Sequence, residues 1–296
     1  MRIFWSAFLL GAACLAQGPR TGLVVSTDWL AAHLEDPEVV VLHVTRDSAA
    51  YLAGHIPGAH LLLWNQFTVT RDGLPVELPP VAELVACFEK LGVSDRSHVV
   101  LYGDNLGLAA ARAWFTLDYL GHGSHASLLD GGLEKWRTEG RPVSSAERIP
   151  KRGRLTPKPR PEIVAHFNDV RALIGKSNSR VLLLDARPRE EYLGRKAFGN
   201  PPRAGHIPGA VSLYWMNALM GPQNPVLKPV AELRRLFQQA GARPQRKLIA
   251  YCGVGVQAAY VYFLARYLGY DAALYDGSLA EWGRVPEAPL VTGPQD

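Results

Sequence analysis

The chain has 296 residues, long for one hydrophobic core, so two domains of about 120–150 residues are expected. Apolar residues make up 48% and charged residues 20%, and the net charge of +5 is spread along the sequence rather than gathered into a nucleic-acid-binding face. Three cysteines, with no CxxC pair and no zinc-like spacing, argue against a disulfide framework and against a metal site.

The first 16 residues differ from the rest. Met1-Arg2 precedes an apolar run from Ile3 to Leu10, followed by small residues in Gly11-Ala12-Ala13-Cys14-Leu15-Ala16. This is the layout of a secretory signal cleaved after Ala16, and it predicts an exported, periplasmic protein. The run is shorter than the roughly 20 apolar residues of a spanning helix, so no stable membrane insertion is expected after cleavage. Lipidation at Cys14 is the alternative, with Gly11 standing where a lipobox has a larger aliphatic residue.

A first half spans residues 22–145. Val39 to His43 is a short continuous apolar run, as a buried parallel strand requires, and Val99 to Tyr102 is another. Between them Val81 to Leu91 has helical spacing and stops before Gly92. Arg141 to Pro161 then carries Pro142, Pro150, Pro157, Pro159 and Pro161 among basic residues. It reads as an extended, solvated connection, with 146–161 as the linker proper. The second half, 162–292, repeats the alternation: strands at Val181–Asp185, Leu248–Tyr251 and Ala272–Tyr275, helices at Val230–Ala240 and Gln257–Leu268. Each half is thus expected to be a small α/β domain, a parallel sheet with helices on both faces.

The halves also match letter by letter. Ala53 to Ala59 and Ala204 to Ala210 both read AGHIPGA. Pro80-Val-Ala-Glu-Leu84 recurs as Pro229-Val-Ala-Glu-Leu233, and Asp130-Gly-Gly-Leu-Glu-Lys-Trp136 as Asp276-Gly-Ser-Leu-Ala-Glu-Trp282. The chain is a tandem duplication.

Two asymmetries between the copies point to chemistry. The strand ending at Tyr251 runs into Cys252-Gly253-Val254-Gly255-Val256-Gln257 and then a helix, where the first half has Gly103-Asp104-Asn105-Leu106-Gly107 and no cysteine. Ligands of such sheets bind beyond the strand carboxyl ends. Loop N–H groups and a helix N-terminus there would stabilise a thiolate and lower the Cys252 pKa. A buried core cysteine is the competing reading. In the first half, Asp104 would repel an anion. The second asymmetry is an insertion of ten residues between Tyr192 and Ala204, relative to Tyr51 and Ala53, containing Arg195, Lys196 and Arg203. Basic residues added beside the cysteine suit an anionic substrate; a solvated loop is the alternative. Cys87 falls on a helical core pattern, and His55 and His206, present in both copies, suit a turn.

These segments, with Asp185-Ala186-Arg187 at a strand end, resemble the rhodanese family over nearly the whole chain after the signal. The resemblance implies tandem rhodanese-like domains, an inactive first and a catalytic second, without metal or organic cofactor. It implies a sulfurtransferase in which Cys252 takes sulfur as a persulfide from a small anionic donor, thiosulfate or 3-mercaptopyruvate, and gives it to cyanide or a thiol. The loop fits the family form C-x-x-G-V-x. Gly253 matches the mercaptopyruvate type, CGSGV, whereas the thiosulfate type often has arginine there and lysine next; Val254 matches neither. Glu191 stands where mercaptopyruvate enzymes carry arginine. Arg187, Arg195 and Arg203 are the substrate-binding candidates by the same resemblance. A rhodanese-fold phosphatase would need C-x5-R, but position 258 is alanine and the next arginine is Arg266. A persulfide-carrying module without small-molecule turnover remains the alternative to an enzyme.

Overall fold

The structure is a computed structural model describing residues 19–103, 105–176, 180–199 and 202–294. The expected signal with Cys14, and Asp104, lie outside the described residues. The first half runs β1 (Val24–Val25), α1 (Thr27–Ala32), β2 (Val39–Thr45), α2 (Ser48–Leu52), β3 (His60–Leu63), β4 (Val69–Arg71), β5 (Leu74–Glu77), α3 (Val81–Lys90), β6 (His98–Gly103), α4 (Leu108–Tyr119), β7 (Ala126–Leu129) and α5 (Gly132–Thr138). The second runs β8 (Val164–Ala165), α6 (Phe167–Arg171), β9 (Val181–Asp185), α7 (Arg189–Tyr192), β10 (Val211–Ser212), β11 (Leu219–Gly221), β12 (Asn224–Leu227), α8 (Val230–Gln239), β13 (Lys247–Tyr251), α9 (Val256–Tyr267), β14 (Ala272–Tyr275) and α10 (Ser278–Trp282).

Both five-stranded sheets have one order, β1-β7-β6-β2-β3 and β8-β14-β13-β9-β10, and all their pairings are parallel. Strand alternation explains how both faces are covered. Along β6, Val99 and Leu101 pack in one cluster with Leu84 and Phe88 of α3 and with α4. Val100 and Tyr102 point the other way, to Leu30 of α1 and Trp136 of α5. In the second half Leu182 and Leu184 face α8 and α9, while Leu183 faces Val170 and Trp282.

The helices α4 and α9 are mostly apolar because they are buried on nearly every side: ten consecutive residues of each are buried, Arg112, Asp118 and Arg266 among them. They pack on each other, Trp114 against Phe263 edge-on with centroids 4.9 Å apart and Phe115 against Tyr262 at 5.2 Å. The halves therefore share one core.

Two antiparallel hairpins, β4–β5 and β11–β12, reach reciprocally toward the opposite half, β5 meeting α10 and β12 meeting α5. Sequence reasoning passed over them. The signal was Asp72-Gly73, both at positive φ (50° and 74°), between Val-Thr-Arg and Leu-Pro-Val. The proline-rich connection is extended as expected, but it is strapped along the first half rather than solvated throughout. Ser144 exchanges backbone hydrogen bonds with His55 (2.8 and 2.9 Å), Gly153 N–H donates to Glu89 O (2.8 Å), and Leu155 is buried. Its prolines forbid a helix, so the remaining backbone donors find partners on the domain. Among the described residues, no helix is long and apolar enough to cross a membrane.

Candidate active site

The AGHIPGA segments are clamped alike in both copies. The Tyr51 and Tyr192 hydroxyls donate to Ala59 O and Ala210 O, each at 2.9 Å, and the tyrosine rings stack on His55 and His206. Nδ1 of each histidine bonds the carbonyl of that same tyrosine, at 2.9 and 2.7 Å. Tyr102 and Tyr251, near the carboxyl ends of the central strands, accept the N–H groups of Ile56 and Ile207 (3.0 and 3.1 Å). Both histidines are buried turn residues.

Cys252 follows Tyr251 at the end of β13, between β9 and β14, and is 1% exposed. Its loop folds back on α10: Cys252 O accepts from Leu279 N–H (3.1 Å) and Gly253 O from Ala280 N–H (2.9 Å). Gly255 caps α9 at φ +80°, and a Cβ there would sit 2.9 Å from the carbonyl oxygen of Asp276. Only glycine fits. The turn brings the N–H groups of Val254, Gln257 and Ala258 onto the sulfur.

The expected lowering of the thiol pKa is not what the resting site has. Burial pushes the Cys252 thiol up, outweighing the three N–H groups that pull it down. The insertion covers this loop through a residue that sequence reasoning did not select. The Phe198 ring lies on Gly253, where a Cβ would meet it at 2.7 Å. Phe198 and Arg203 close the insertion by paired backbone hydrogen bonds.

The candidate arginines go to three different places. Arg187 is fully buried beside the strand end; its Nε and Nη2 hold Asp185 (2.6–3.2 Å) and Nη2 also donates to Gly205 O (2.8 Å). Its Nη1 has no hydrogen-bond partner, the nearest carboxylate being Glu191 at 3.9 Å. Arg203 donates to Val285 O and Ala288 O (3.1 and 2.6 Å), which anchors the insertion. Arg195, 67% exposed, pairs with Glu190. Cys87 lies on α3 packed against the core, and burial raises its pKa to about 11.

Two further groups support the loop. Ser278 sits at φ +49°, a strained conformation for a side-chain-bearing residue. Its Oγ accepts the Cys252 N–H (3.1 Å) and donates to Tyr275 O (2.8 Å). From the first half, fully buried Arg112 on α4 makes a bidentate pair with Asp276 and also donates to Val76 O of β5 (2.5 Å). The serine was visible as the one S-for-G change in DGSLAEW. The arginine, inside an alanine-rich helix 164 positions from its partner, gave no local signal.

A model of the rhodanese-like domain matches residues 26–139 and again 167–284. The chain is 35% identical over 286 residues to the sulfur carrier protein TtuD of Thermus thermophilus, covering 92% of this chain and 97% of that one. It is 33% identical over 288 residues to the thiosulfate sulfurtransferase of Corynebacterium glutamicum, covering 91% and 90%. Among solved structures, the 3-mercaptopyruvate sulfotransferase SseA from Escherichia coli superposes with a TM-score of 0.76 at 29% identity, over 86% of this chain and 98% of that one. The chain belongs to the rhodanese family.

Proposed function

We propose that this sulfurtransferase moves sulfane sulfur from thiosulfate or 3-mercaptopyruvate to cyanide or a thiol through a persulfide on Cys252. The observation that carries this is the sulfur at a strand end facing the N–H groups of Val254, Gln257 and Ala258. The Cys252 thiolate attacks the donor's outer sulfur. The bond from that sulfur to the rest of the donor breaks, and its electron pair leaves with sulfite, or with the pyruvate enolate, which then takes a proton. The anionic persulfide rests against the loop N–H groups. An acceptor attacks the outer sulfur, and the Cys252 thiolate departs.

Arg187, with a buried Nη1 lacking a hydrogen-bond partner, suits the donor's anionic end. Arg195 can exchange Glu190 for the same group, and Arg203 holds the insertion to which both belong or adjoin.

Thiocyanate production from cyanide, with thiosulfate and 3-mercaptopyruvate compared at equal concentration, tests the reading. A preference for one identifies the donor class. Cys252→Ser should fold and lose turnover entirely; residual activity would remove Cys252 as nucleophile. The relationship to a sulfur carrier supports a second reading, in which the persulfide passes to a protein. Persulfide on Cys252 with no turnover on either small donor pair would select it.

We also propose export directed by residues 1–16. N-terminal sequencing of the periplasmic fraction should give a chain starting at Gln17, and an intact Met1 in the cytosol would overturn export.

A further inference from the structure

The far end of α9 from Cys252 opens on a cleft of about 410 Å³ whose lining includes Arg20, Trp114, Asp118, Ser124, Arg160 and Arg266. Three guanidinium groups share it with one carboxylate, whose oxygens are already engaged. Asp118 Oδ1 accepts from Arg160 (2.5 Å) and Oδ2 from the Tyr262 hydroxyl (2.6 Å). Arg160 turns its Nε outward to exposed Glu162 (3.1 Å). Arg266 is left 3.7 Å from Asp118, its side chain 10% exposed and its Nε buried without a hydrogen-bond partner. Arg20, at the exposed rim, has its pKa lowered by burial and then by the like charge of Arg266, with Asp118 opposing. The cleft therefore holds more cationic donors than acceptors, gathered from the N-terminal segment, the connection between the halves, and α9.

We propose that this cleft is a second anion site, which binds a small tetrahedral oxyanion of the sulfite, sulfate or phosphate type. Such an ion presents acceptors in several directions at once and suits converging guanidinium forks. Arg266 lies ten residues along α9 from Val256, about 15 Å from the loop end, so the site is separate from the one that holds the donor. Bound there, the anion would tie Arg20, Arg160 and Arg266 together and brace the helix whose other end carries the cysteine loop.

The test uses the full-length mature chain as Cys252→Ser, which keeps sulfur chemistry out of the readout. Sulfate, sulfite and phosphate are compared with chloride at matched ionic strength. The Tm should rise by about 2–4 °C at saturating oxyanion. Arg20→Ala, at an exposed position safe for folding, should weaken the apparent affinity about tenfold, and Arg266→Gln should do so more strongly. Crystals soaked in selenate should show its anomalous signal between Arg20 and Arg266. A preference among the three anions identifies the source and supports the site in each case. An unchanged Tm rise in both variants, or selenate found only at the Cys252 loop, overturns the proposal.

Discussion

The two halves have the same sheet order, the same clamped AGHIPGA segment and the same buried helix after the central strand, yet only one carries a cysteine there. The differences around that loop form a set. Where the second half has Asp185, of the buried Asp185–Arg187 pair, beside Tyr251, the first has buried His43 beside Tyr102, and its Arg46 is exposed above Trp64. Where Ser278 accepts the Cys252 N–H at φ +49°, the first half has Gly132 at φ +55°, with no side chain to bond anything. The fifth residue of the buried helix differs as well: Arg112 in α4 grips Asp276 under the cysteine loop, whereas Tyr260 in α9 faces Asp130. The half without the cysteine thus supplies the cation that braces the half that has it. The two copies share the frame and differ in the polar groups around one loop, to which the first half contributes an arginine.

The largest expected effect tests that contribution. Arg112→Met leaves Asp276 buried and unpaired, which should cost about 3–5 kcal/mol in a urea melt and carry turnover down with it. Arg112→Lys should restore part of both. Tyr260→Phe at the corresponding position should stay within about 1 kcal/mol and leave activity unchanged. Equal losses in the two halves would make Arg112 a plain core residue.

The loop glycines are the next comparison. Gly255→Ala must hold alanine at φ +80° and also drive its Cβ to 2.9 Å from Asp276 O. Gly107→Ala meets only the Tyr260 ring at 3.6 Å, at φ +86°. The first substitution should cost more than 2 kcal/mol or so and lower kcat about tenfold or more; the second should cost the backbone term alone, about 1–2 kcal/mol. Chemical denaturation and thiocyanate assays on the pair check this.

A smaller effect should come from copying the first half's loop support into the second. Ser278→Gly relieves a strained φ while losing the Cys252 N–H acceptor. Stability should hardly move, and kcat should fall about fivefold with KM unchanged. Gly132→Ser, the reverse exchange, should leave turnover as it was.

Why some of this was legible in the sequence and some was not follows from how far apart the partners lie. The strands at Val181–Asp185 and Ala272–Tyr275 have the bounds expected from their apolar runs, because a strand buried on both faces writes its limits into composition. The cysteine loop was equally visible, since a strand end, a nucleophile, two glycines and a helix are consecutive. Arg112 and Asp276 were not, being joined only when the helices of two domains pack. The insertion misled in a third way. Its basic residues drew the eye, yet Arg195 sits on the surface and Arg203 works as an anchor, while the contact with the loop is made by the apolar Phe198. Charge pattern marks what a segment can attract, not which of its side chains faces inward.

That ring gives the finest test, and its sign can be worked out beforehand. Burial holds the Cys252 thiol above the usual cysteine range, so the resting enzyme favours the protonated form and its alkylation by iodoacetamide should rise with pH beyond about 8.5. Phe198→Ala lets water reach Gly253 and the sulfur, which removes part of the desolvation while leaving the N–H groups of Val254, Gln257 and Ala258 in place. The inflection of the alkylation profile should therefore move to lower pH, toward the lowered value that loop and helix would produce alone. Cys87, packed on α3 far along the chain from this loop, should keep its own profile in both proteins and serves as the internal control. An inflection unmoved by Phe198→Ala would mean that β9, β14 and α10 bury the sulfur without help from the insertion, and the contrast between the halves would then rest on their polar groups alone.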